Sequence, residues 1–189
     1  MRNMIVAEIQ AHNTLMTSVL GSMVDEIGNA CKLTCDTLIS GGKVLIFGNG
    51  GSAADSQHFA AEISGRYKSE RKALPAIALT TDTSAITAIS NDFDFSKVFE
   101  RQVEALSTSN DLLIGISTSG NSDNVISALK YGHDAKLRTL GLSGMNRGEM
   151  GNYCDVMLKV PSNDTARIQE VHALIIHIIC QSIDDSFAC

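Results

Sequence analysis

Two short segments rich in glycine, serine and asparagine have the composition of loops that bind a phosphate or a sugar. The first runs over residues 47–55 and the second over residues 117–122. Glycine lets the backbone turn sharply and approach a ligand, and a helix that follows such a loop offers unpaired N–H groups. A tight strand-to-helix turn with capping residues would explain one such loop. Two in one chain predict a phosphate or sugar site.

The hydroxyl groups of the second segment can donate hydrogen bonds to phosphate oxygens without adding net charge. They belong to Ser117, Thr118, Ser119 and Ser122. Neither segment fits the pattern GxxxxGK[ST], and no lysine follows, which disfavours a nucleoside triphosphatase. Gly48 and Gly50 lack the full dinucleotide spacing, so NAD is only an alternative ligand.

Histidine and glutamate side chains form a second group that could bind a metal or transfer protons. His58 and Glu62 are four residues apart and share one helical face, one turn beyond the first loop. His177 lies within an otherwise apolar run near the other end of the chain, and a histidine in such a run needs a polar partner. Two histidines and a glutamate suit either a zinc site or an acid–base pair.

The spacing of Gln169 and His177 restricts how a metal could be bound. The two residues are eight apart, which is about 12 Å along a straight helix. Because zinc–ligand bonds are only about 2.0–2.2 Å long, one straight helix cannot place both on a single ion. Either the helix begins irregularly near Gln169, or two copies of the chain supply the two residues. We favour the second hypothesis, with the site at a subunit interface, and expect His172 to be structural or exposed.

Strands that alternate with helices must position these residues. Short apolar runs, each followed by a turn and a helical pattern, cover Val44–Gly48, Ala76–Thr80, Leu112–Ser117, Thr139–Leu142 and Val156–Val160. Several are almost wholly apolar, as strands buried on both faces are. The alternation predicts an α/β fold with a parallel sheet and helices on both faces. Both loops then lie at the carboxyl ends of strands, where ligands bind.

Two long helical patterns flank these strands. Apolar residues at three- and four-residue steps predict helix over residues 4–40, although Gly21 and Gly28 weaken its middle and allow two helices. A helix rich in isoleucine is predicted over about 164–187. The first 40 residues are too apolar on one face to stand alone, and we expect them to pack against another subunit.

Composition limits the classes of protein to which the chain could belong. A chain of 189 residues with 44% hydrophobic residues is long enough for one well-packed domain. The excess of 21 acidic over 15 basic residues argues against a nucleic-acid partner. Five cysteines without a paired pattern indicate free thiols in a reducing cytosol. There is neither a signal-peptide pattern nor an apolar run of membrane-spanning length, so we expect a cytoplasmic protein without a membrane partner.

Several motifs together resemble the phosphoheptose isomerase family of sugar isomerase (SIS) domains over nearly the whole chain. They are Gly48-Asn49-Gly50-Gly51-Ser52, His58-Phe59-Ala60-Ala61-Glu62, Gly65-Arg66-Tyr67, Asn91-Asp92, residues 115–122 and Arg167-Ile168-Gln169-Glu170. The resemblance implies a five-stranded parallel sheet flanked by helices, a Rossmann-like three-layer sandwich. It implies one SIS domain over residues 1–189, with residues 1–40 as a helical extension that packs in the oligomer.

The same resemblance implies an activity. A homotetramer would convert sedoheptulose 7-phosphate to D-glycero-D-manno-heptose 7-phosphate through an enediol, for the heptose of the lipopolysaccharide core. The phosphate would be held by the four hydroxyl residues Ser117, Thr118, Ser119 and Ser122. The rest of the substrate would contact Asn49, Gly50, Gly51, Glu62, Asn91, Asp92 and Gln169.

Zinc would be bound by His58, Glu62, Gln169 and His177, with Glu62 and His177 also the catalytic pair. The family often has an acidic residue immediately before the arginine that is Arg167 here, but this chain has Ala166. Asp164, two residues earlier, receives no role. Arg66 either approaches the substrate or pairs on the surface.

Two other functions fit a related scaffold. Non-catalytic proteins that associate with the replication initiator also resemble this family, but the presence of Glu62 and His177 favours an enzyme. An isomerase of a pentose or hexulose phosphate is the other alternative, because loops that bind one end of a sugar phosphate do not report its chain length.

Overall fold

The computed structural model describes residues 1–188, and its centre is one sheet of five parallel strands. The strands are β1 (Val44–Gly48), β2 (Ala76–Ala78), β3 (Leu112–Ile116), β4 (Arg138–Ser143) and β5 (Val156–Lys159). Their order in the sheet is β2-β1-β3-β4-β5. The predicted fold class is confirmed. The predicted bounds of β1 agree with the structure, and those of the other four strands differ by one or two residues at one or both ends.

The strand order places the two loops rich in glycine, serine and asparagine side by side. From β1 the chain moves outward to β2 and then returns to the other side of β1 as β3, so the winding direction reverses between β1 and β3. In open parallel sheets, ligands bind at the carboxyl ends of strands at such a reversal. The last residue pair in register is Gly48 with Ile116, directly before the two loops.

Helices cover both faces of the sheet. They are α1 (Arg2–Ser22), α2 (Val24–Ile39), α3 (Gly51–Ser64), α4 (Thr83–Asp92), α5 (Glu100–Leu106), α6 (Asp123–Asp134) and α7 (Thr165–Phe187). Short 3₁₀ turns occupy Phe95–Lys97 and Glu149–Asn152. The N-terminal pattern therefore forms two helices, and the break falls at Met23 rather than at either glycine that weakens the pattern.

Alternate residues of β1 belong to two separate cores, as the two-residue period of a strand requires. Val44 and Ile46 pack with α2, α3 and α7 on one face. Leu45 and Phe47 pack with residues of α5 and α6 on the other. This arrangement is the predicted three-layer sandwich.

The N-terminal half of α1 is exposed on its apolar side. Met4, Ile5, Val6 and Ile9 are all exposed, and the buried residues of α1 are Leu15 and Val19. The expectation that this extension packs against another subunit stays a prediction. Within residues 1–188, no helix has both the length and the apolar character needed to cross a membrane.

Asp164 caps the helix that contains Gln169 and His177. Its Oδ1 accepts hydrogen bonds from the backbone N–H groups of Ala166 at 2.9 Å and Arg167 at 3.4 Å. These N–H groups have no partner within the helix, and an aspartate at this position satisfies them. Asp164, which received no role from the sequence, is thus the residue that fixes where α7 begins.

Replacing Asp164 by alanine should lower the free energy of unfolding by about 0.5–2 kcal/mol, the usual effect of losing an N-cap. Asp164→Asn is the matched control, because asparagine caps about as well as aspartate. Urea denaturation of the two variants and the wild type measures the difference. An unchanged midpoint for Asp164→Ala, or equal losses in both variants, would show that the cap does not stabilise α7.

Candidate active site

Within the first loop of residues 47–55, the segment of residues 48–51 is called the glycine loop below. Gly50 has φ +57°, a left-handed conformation that favours glycine, and it forms the N-cap of α3. At Gly51 a Cβ atom would collide with the side-chain amide of Gln169 on α7. The absence of a side chain at Gly51 therefore leaves room for the Gln169 amide at the start of α3.

The second loop, residues 117–122, is called the hydroxyl loop and joins β3 to α6. Ser117 Oγ lies 2.9 Å from Ser122 Oγ and 3.4 Å from Ser119 Oγ, so three hydroxyl groups form one cluster. Gly120, with φ +70°, turns the chain back and donates its N–H to the Ser117 carbonyl at 3.0 Å. The cluster lies at the N-terminus of a helix, which favours an anion.

A pocket of about 290 Å³ adjoins the hydroxyl loop on the side of β4 and β5. Its polar lining consists of uncharged side chains, from Thr118, Ser119, Asn121, Asn146, Ser162, Asn163 and Thr165. Such a lining can hydrogen-bond a phosphate or the hydroxyl groups of a sugar without a cation.

Helices α3 and α7 bring together three of the predicted chemical residues. His58 Nε2 lies 3.1 Å from Glu62 Oε1, and the His58 ring meets the edge of the His177 ring with centroids 5.1 Å apart. Tyr67 stacks on His177, with ring centroids 5.4 Å apart and an interplanar angle of 23°. His177 therefore contacts the rings of both His58 and Tyr67. Tyr67 received no separate role from the sequence.

Gln169 is separated from this cluster. The helix α7 is continuous from Thr165 to Phe187, so it does not begin irregularly near Gln169. Gln169 lies against Gly51, whereas His177 lies against His58, two helical turns further along. Of the two arrangements that the spacing left open, the irregular helix start is excluded.

In the described part of the chain, the side chains of Asn91 and Asp92 make no hydrogen bond to the other predicted site residues. They are the last two residues of α4, both exposed, and within the described chain their side chains hydrogen-bond to each other at 2.8 Å. Arg66 is also exposed.

The donor set suits zinc in its chemistry, because imidazole nitrogen and carboxylate oxygen are common zinc ligands. His58 and Glu62 already form a pair with His177 beside it. Over residues 1–188 of one chain, however, no group of three or more His, Cys, Asp or Glu residues is arranged to hold a metal ion. The described residues of a single chain thus have suitable donor types but not a complete metal-binding arrangement.

A buried ion pair fixes the end of α3 that carries Glu62. Arg71 and Asp184 are both fully buried, and Arg71 Nε donates to Asp184 Oδ1 at 2.9 Å. Arg71 also donates to the carbonyl oxygens of Glu62 and Ile63, each at 2.9 Å. Burial opposes ionisation of Asp184, but hydrogen bonds from the Ser69 and Lys68 backbone and from Arg71 hold its pKa below the usual value. The pair therefore links α7 directly to the backbone of Glu62.

Asp55, one turn before His58, adds a further carboxylate near the cluster. Burial raises the pKa of Asp55, and the nearby charge of His58 opposes that rise. One carboxylate oxygen, Oδ2, is buried and has no hydrogen-bond partner among the described residues.

His172 is structural. Its side chain is fully buried, and Nε2 donates to the carbonyl oxygen of Ser143 at the end of β4. Nδ1 has no partner in the described part of the chain. Burial lowers the pKa of His172 to about 4, so the ring is neutral at neutral pH.

Comparison with known proteins agrees with this geometry. A family model described as the SIS domain matches residues 9–144. "Phosphoheptose isomerase" from Aliarcobacter butzleri is 55% identical over 188 residues, covering 100% of both chains. "Phosphoheptose isomerase 1" from Campylobacter jejuni is 57% identical, covering 99% of this chain and 100% of that protein.

The chain belongs to the phosphoheptose isomerase family of SIS-domain proteins. A solved structure from this family, phosphoheptose isomerase GmhA from Neisseria gonorrhoeae, is 44% identical and superposes with a TM-score of 0.92, covering 97% of this chain and 98% of that one. The family resemblance inferred from the motifs is confirmed. Tyr67 lies within one of those motifs, Gly65-Arg66-Tyr67, so an aromatic residue at the end of a shared motif was the available signal for its role.

The low pKa of His172 predicts a specific loss of stability in acid. With a pKa of about 4 in the folded state and about 6.5 when unfolded, the unfolded chain binds a proton that the folded chain does not. The free energy of unfolding should therefore fall between pH 6.5 and pH 4, by up to about 3 kcal/mol from this group. Above pH 6.5 the contribution is constant.

The His172→Gln variant, which keeps a donor for Ser143, should lack this contribution. Chemical denaturation of both proteins from pH 7.5 to pH 4, with a chelator present throughout, measures it. The two stability curves should converge as the pH falls. Curves that stay parallel would show that His172 is protonated to the same extent in both states.

Proposed function

We propose that the protein is a phosphoheptose isomerase that converts sedoheptulose 7-phosphate to D-glycero-D-manno-heptose 7-phosphate. The observation that carries the proposal is the cluster of His58, Glu62 and His177 near the glycine loop. Enzymes of that name are more than half identical over the full chain. The reaction moves a proton between adjacent carbons through an enediol, and needs a base, an acid and stabilisation of an oxyanion.

Glu62 is the proposed base for the proton on carbon. It removes the proton from the carbon beside the carbonyl group and returns it to the neighbouring carbon. His177 moves the other proton, giving one to the carbonyl oxygen and accepting one from the adjacent hydroxyl group. The stacked ring of Tyr67 restricts the orientation of His177. The hydrogen bond from the Arg71 side chain to the carbonyl oxygen of Glu62 holds the backbone of Glu62 in place.

The hydroxyl loop is the proposed phosphate site, with Ser117, Thr118, Ser119 and Ser122 as donors. The clustering of three of these hydroxyl groups at the start of α6 supports this assignment. Asn49, Gly50, Gly51 and Gln169 contact the sugar, together with Asn91 and Asp92, which lie at the end of α4.

Zinc is the proposed cofactor, with His58, Glu62, Gln169 and His177 as ligands, and when bound it supplies a Lewis acid that stabilises negative charge on oxygen. Glu62 then has competing roles, because a carboxylate that ligates a metal is a weaker base. The continuity of α7 and the exposed apolar side of α1 favour a site shared between subunits of a homotetramer.

The proposal includes the biological setting that the family resemblance implies, which is the cytoplasm and the synthesis of lipopolysaccharide core heptose. A non-catalytic protein that binds the replication initiator is not favoured, because Glu62 and His177 are both present and contact His58. No feature of the site favours a pentose or hexulose phosphate over the heptulose.

The Glu62→Gln variant should turn over sedoheptulose 7-phosphate about 10²–10⁴-fold more slowly, which is the usual contribution of a general base. Glu104→Gln, at an exposed carboxylate on α5, is the control and should be unaffected. A coupled assay measures turnover, and atomic absorption measures the zinc content of each protein. Turnover near the wild-type value in Glu62→Gln, at equal zinc content, would remove Glu62 as the base.

Mixing two inactive variants tests whether the site is shared between subunits. Glu62→Gln and Gln169→Ala subunits should each form inactive homo-oligomers. Co-expressed, they should regain on the order of a quarter of wild-type turnover, the share of sites that combines the two intact halves. Singly tagged subunits allow the mixed oligomer to be purified. Mixed oligomers as inactive as the parents would show that Glu62 and Gln169 of different subunits do not form a shared site.

A further inference from the structure

A reciprocal pair of amides joins the glycine loop to the start of α6. Asn49 Nδ2 donates to Asn124 Oδ1 at 2.8 Å, and Asn124 Nδ2 donates to Asn49 Oδ1 at 2.9 Å. Each amide thus uses one donor and one acceptor on the other. Asn124 is 2% exposed, so water cannot readily replace these bonds.

The pair lies directly beyond the end of the sheet. Gly48 and Ile116 are the last residues of β1 and β3 in register, and Asn49 is the next residue after β1. Asn124 is the second residue of α6, just after the hydroxyl loop. The two side chains therefore connect the loops at the place where the backbone hydrogen bonds between the strands have ended.

Asn49 lies between two glycines, whose own backbones have few steric restraints. Gly50 is in the left-handed region, and α3 begins only at Gly51. The side chain of Asn49 is held by Asn124, and this bond fixes the glycine loop to α6.

We infer that Asn124 is a positioning residue, which acts through Asn49 to set the separation between the glycine loop and the hydroxyl loop. This inference rests on the proposed function. In that reaction the hydroxyl loop holds the phosphate end of the substrate, while the glycine loop and Glu62 meet the reacting end. A fixed separation keeps the reacting carbon in place while the phosphate is bound, and small errors of position are costly to the rate.

A double-mutant cycle tests whether Asn124 acts through Asn49. Asn124→Ala should lower kcat/KM for sedoheptulose 7-phosphate about tenfold or more. In an Asn49→Ala background the same substitution should change kcat/KM by less than about twofold. Equal effects in the two backgrounds would overturn the inference.

The Asn124→Asp variant is the matched comparison. The new carboxylate still accepts from Asn49 Nδ2 but has no N–H to donate to Asn49 Oδ1. The activity of the variant should therefore also fall, although the size of the side chain is unchanged.

Inhibition by inorganic phosphate tests the hydroxyl loop separately. The inhibition constant should change by less than about twofold in Asn124→Ala. Parallel weakening of phosphate binding and kcat/KM would show that Asn124 supports the hydroxyl loop alone and would overturn the inference.

Amide hydrogen exchange gives a measure that does not need activity. In Asn124→Ala, the N–H groups of residues 49–53 should exchange about tenfold faster or more, while those of β1 keep their wild-type rates. Unchanged exchange in the glycine loop would overturn the inference. If the wild-type protein does not turn over sedoheptulose 7-phosphate, the proposed function fails, and the exchange rates still decide whether Asn124 restrains the loop.

Discussion

The close packing of α3 against α7 is the contact on which the candidate site depends. At one end of this contact, the side-chain amide of Gln169 lies against Gly51. About two helical turns further along both helices, the same contact brings His58 to His177. Beyond the end of α3, the buried pair of Arg71 and Asp184 attaches α7 to the backbone of Glu62. A change in the spacing of these two helices would therefore move Glu62, His177 and Gln169 together.

The phosphate chemistry of the proposed reaction is compatible with an acidic chain. A net charge of −6 disfavours a polyanion such as nucleic acid. A single phosphate needs only local donors, and the hydroxyl loop provides serine hydroxyls and a helix N-terminus. Because the sheet order reverses between β1 and β3, this proposed phosphate site lies beside the glycine loop. In the proposed reaction, two neutral loops would do the binding that a cationic patch does in other proteins.

Much of the fold was predictable from the sequence because the strands of a parallel sheet are buried on both faces. All five positions of β1 and of β3 are buried, and such runs stand out as continuous apolar segments. The loops and the pair of His58 with Glu62 were predictable too, because both depend on residues close in sequence. The sequence allowed two N-terminal helices but did not locate the break at Met23, since glycine marks a weak point of a helix but tertiary packing decides where the helix ends.

Contacts between distant residues were beyond sequence reasoning. Asn49 and Asn124 are 75 residues apart, and Arg71 and Asp184 are 113 apart. Nothing local in either segment indicates its partner. The capping role of Asp164 has a different basis. The family pattern concerns an acidic residue next to Arg167, whereas a helix cap is recognised by its position directly before the helix.

Direct assay of a panel of ketose phosphates tests the central claim, that this site isomerises a phosphorylated heptulose. The wild-type protein, with and without added zinc, is given pentulose, hexulose and heptulose phosphates under the same conditions. The account predicts the highest kcat/KM for sedoheptulose 7-phosphate. Faster turnover of a five- or six-carbon substrate, or no turnover of any of them under either condition, would contradict it.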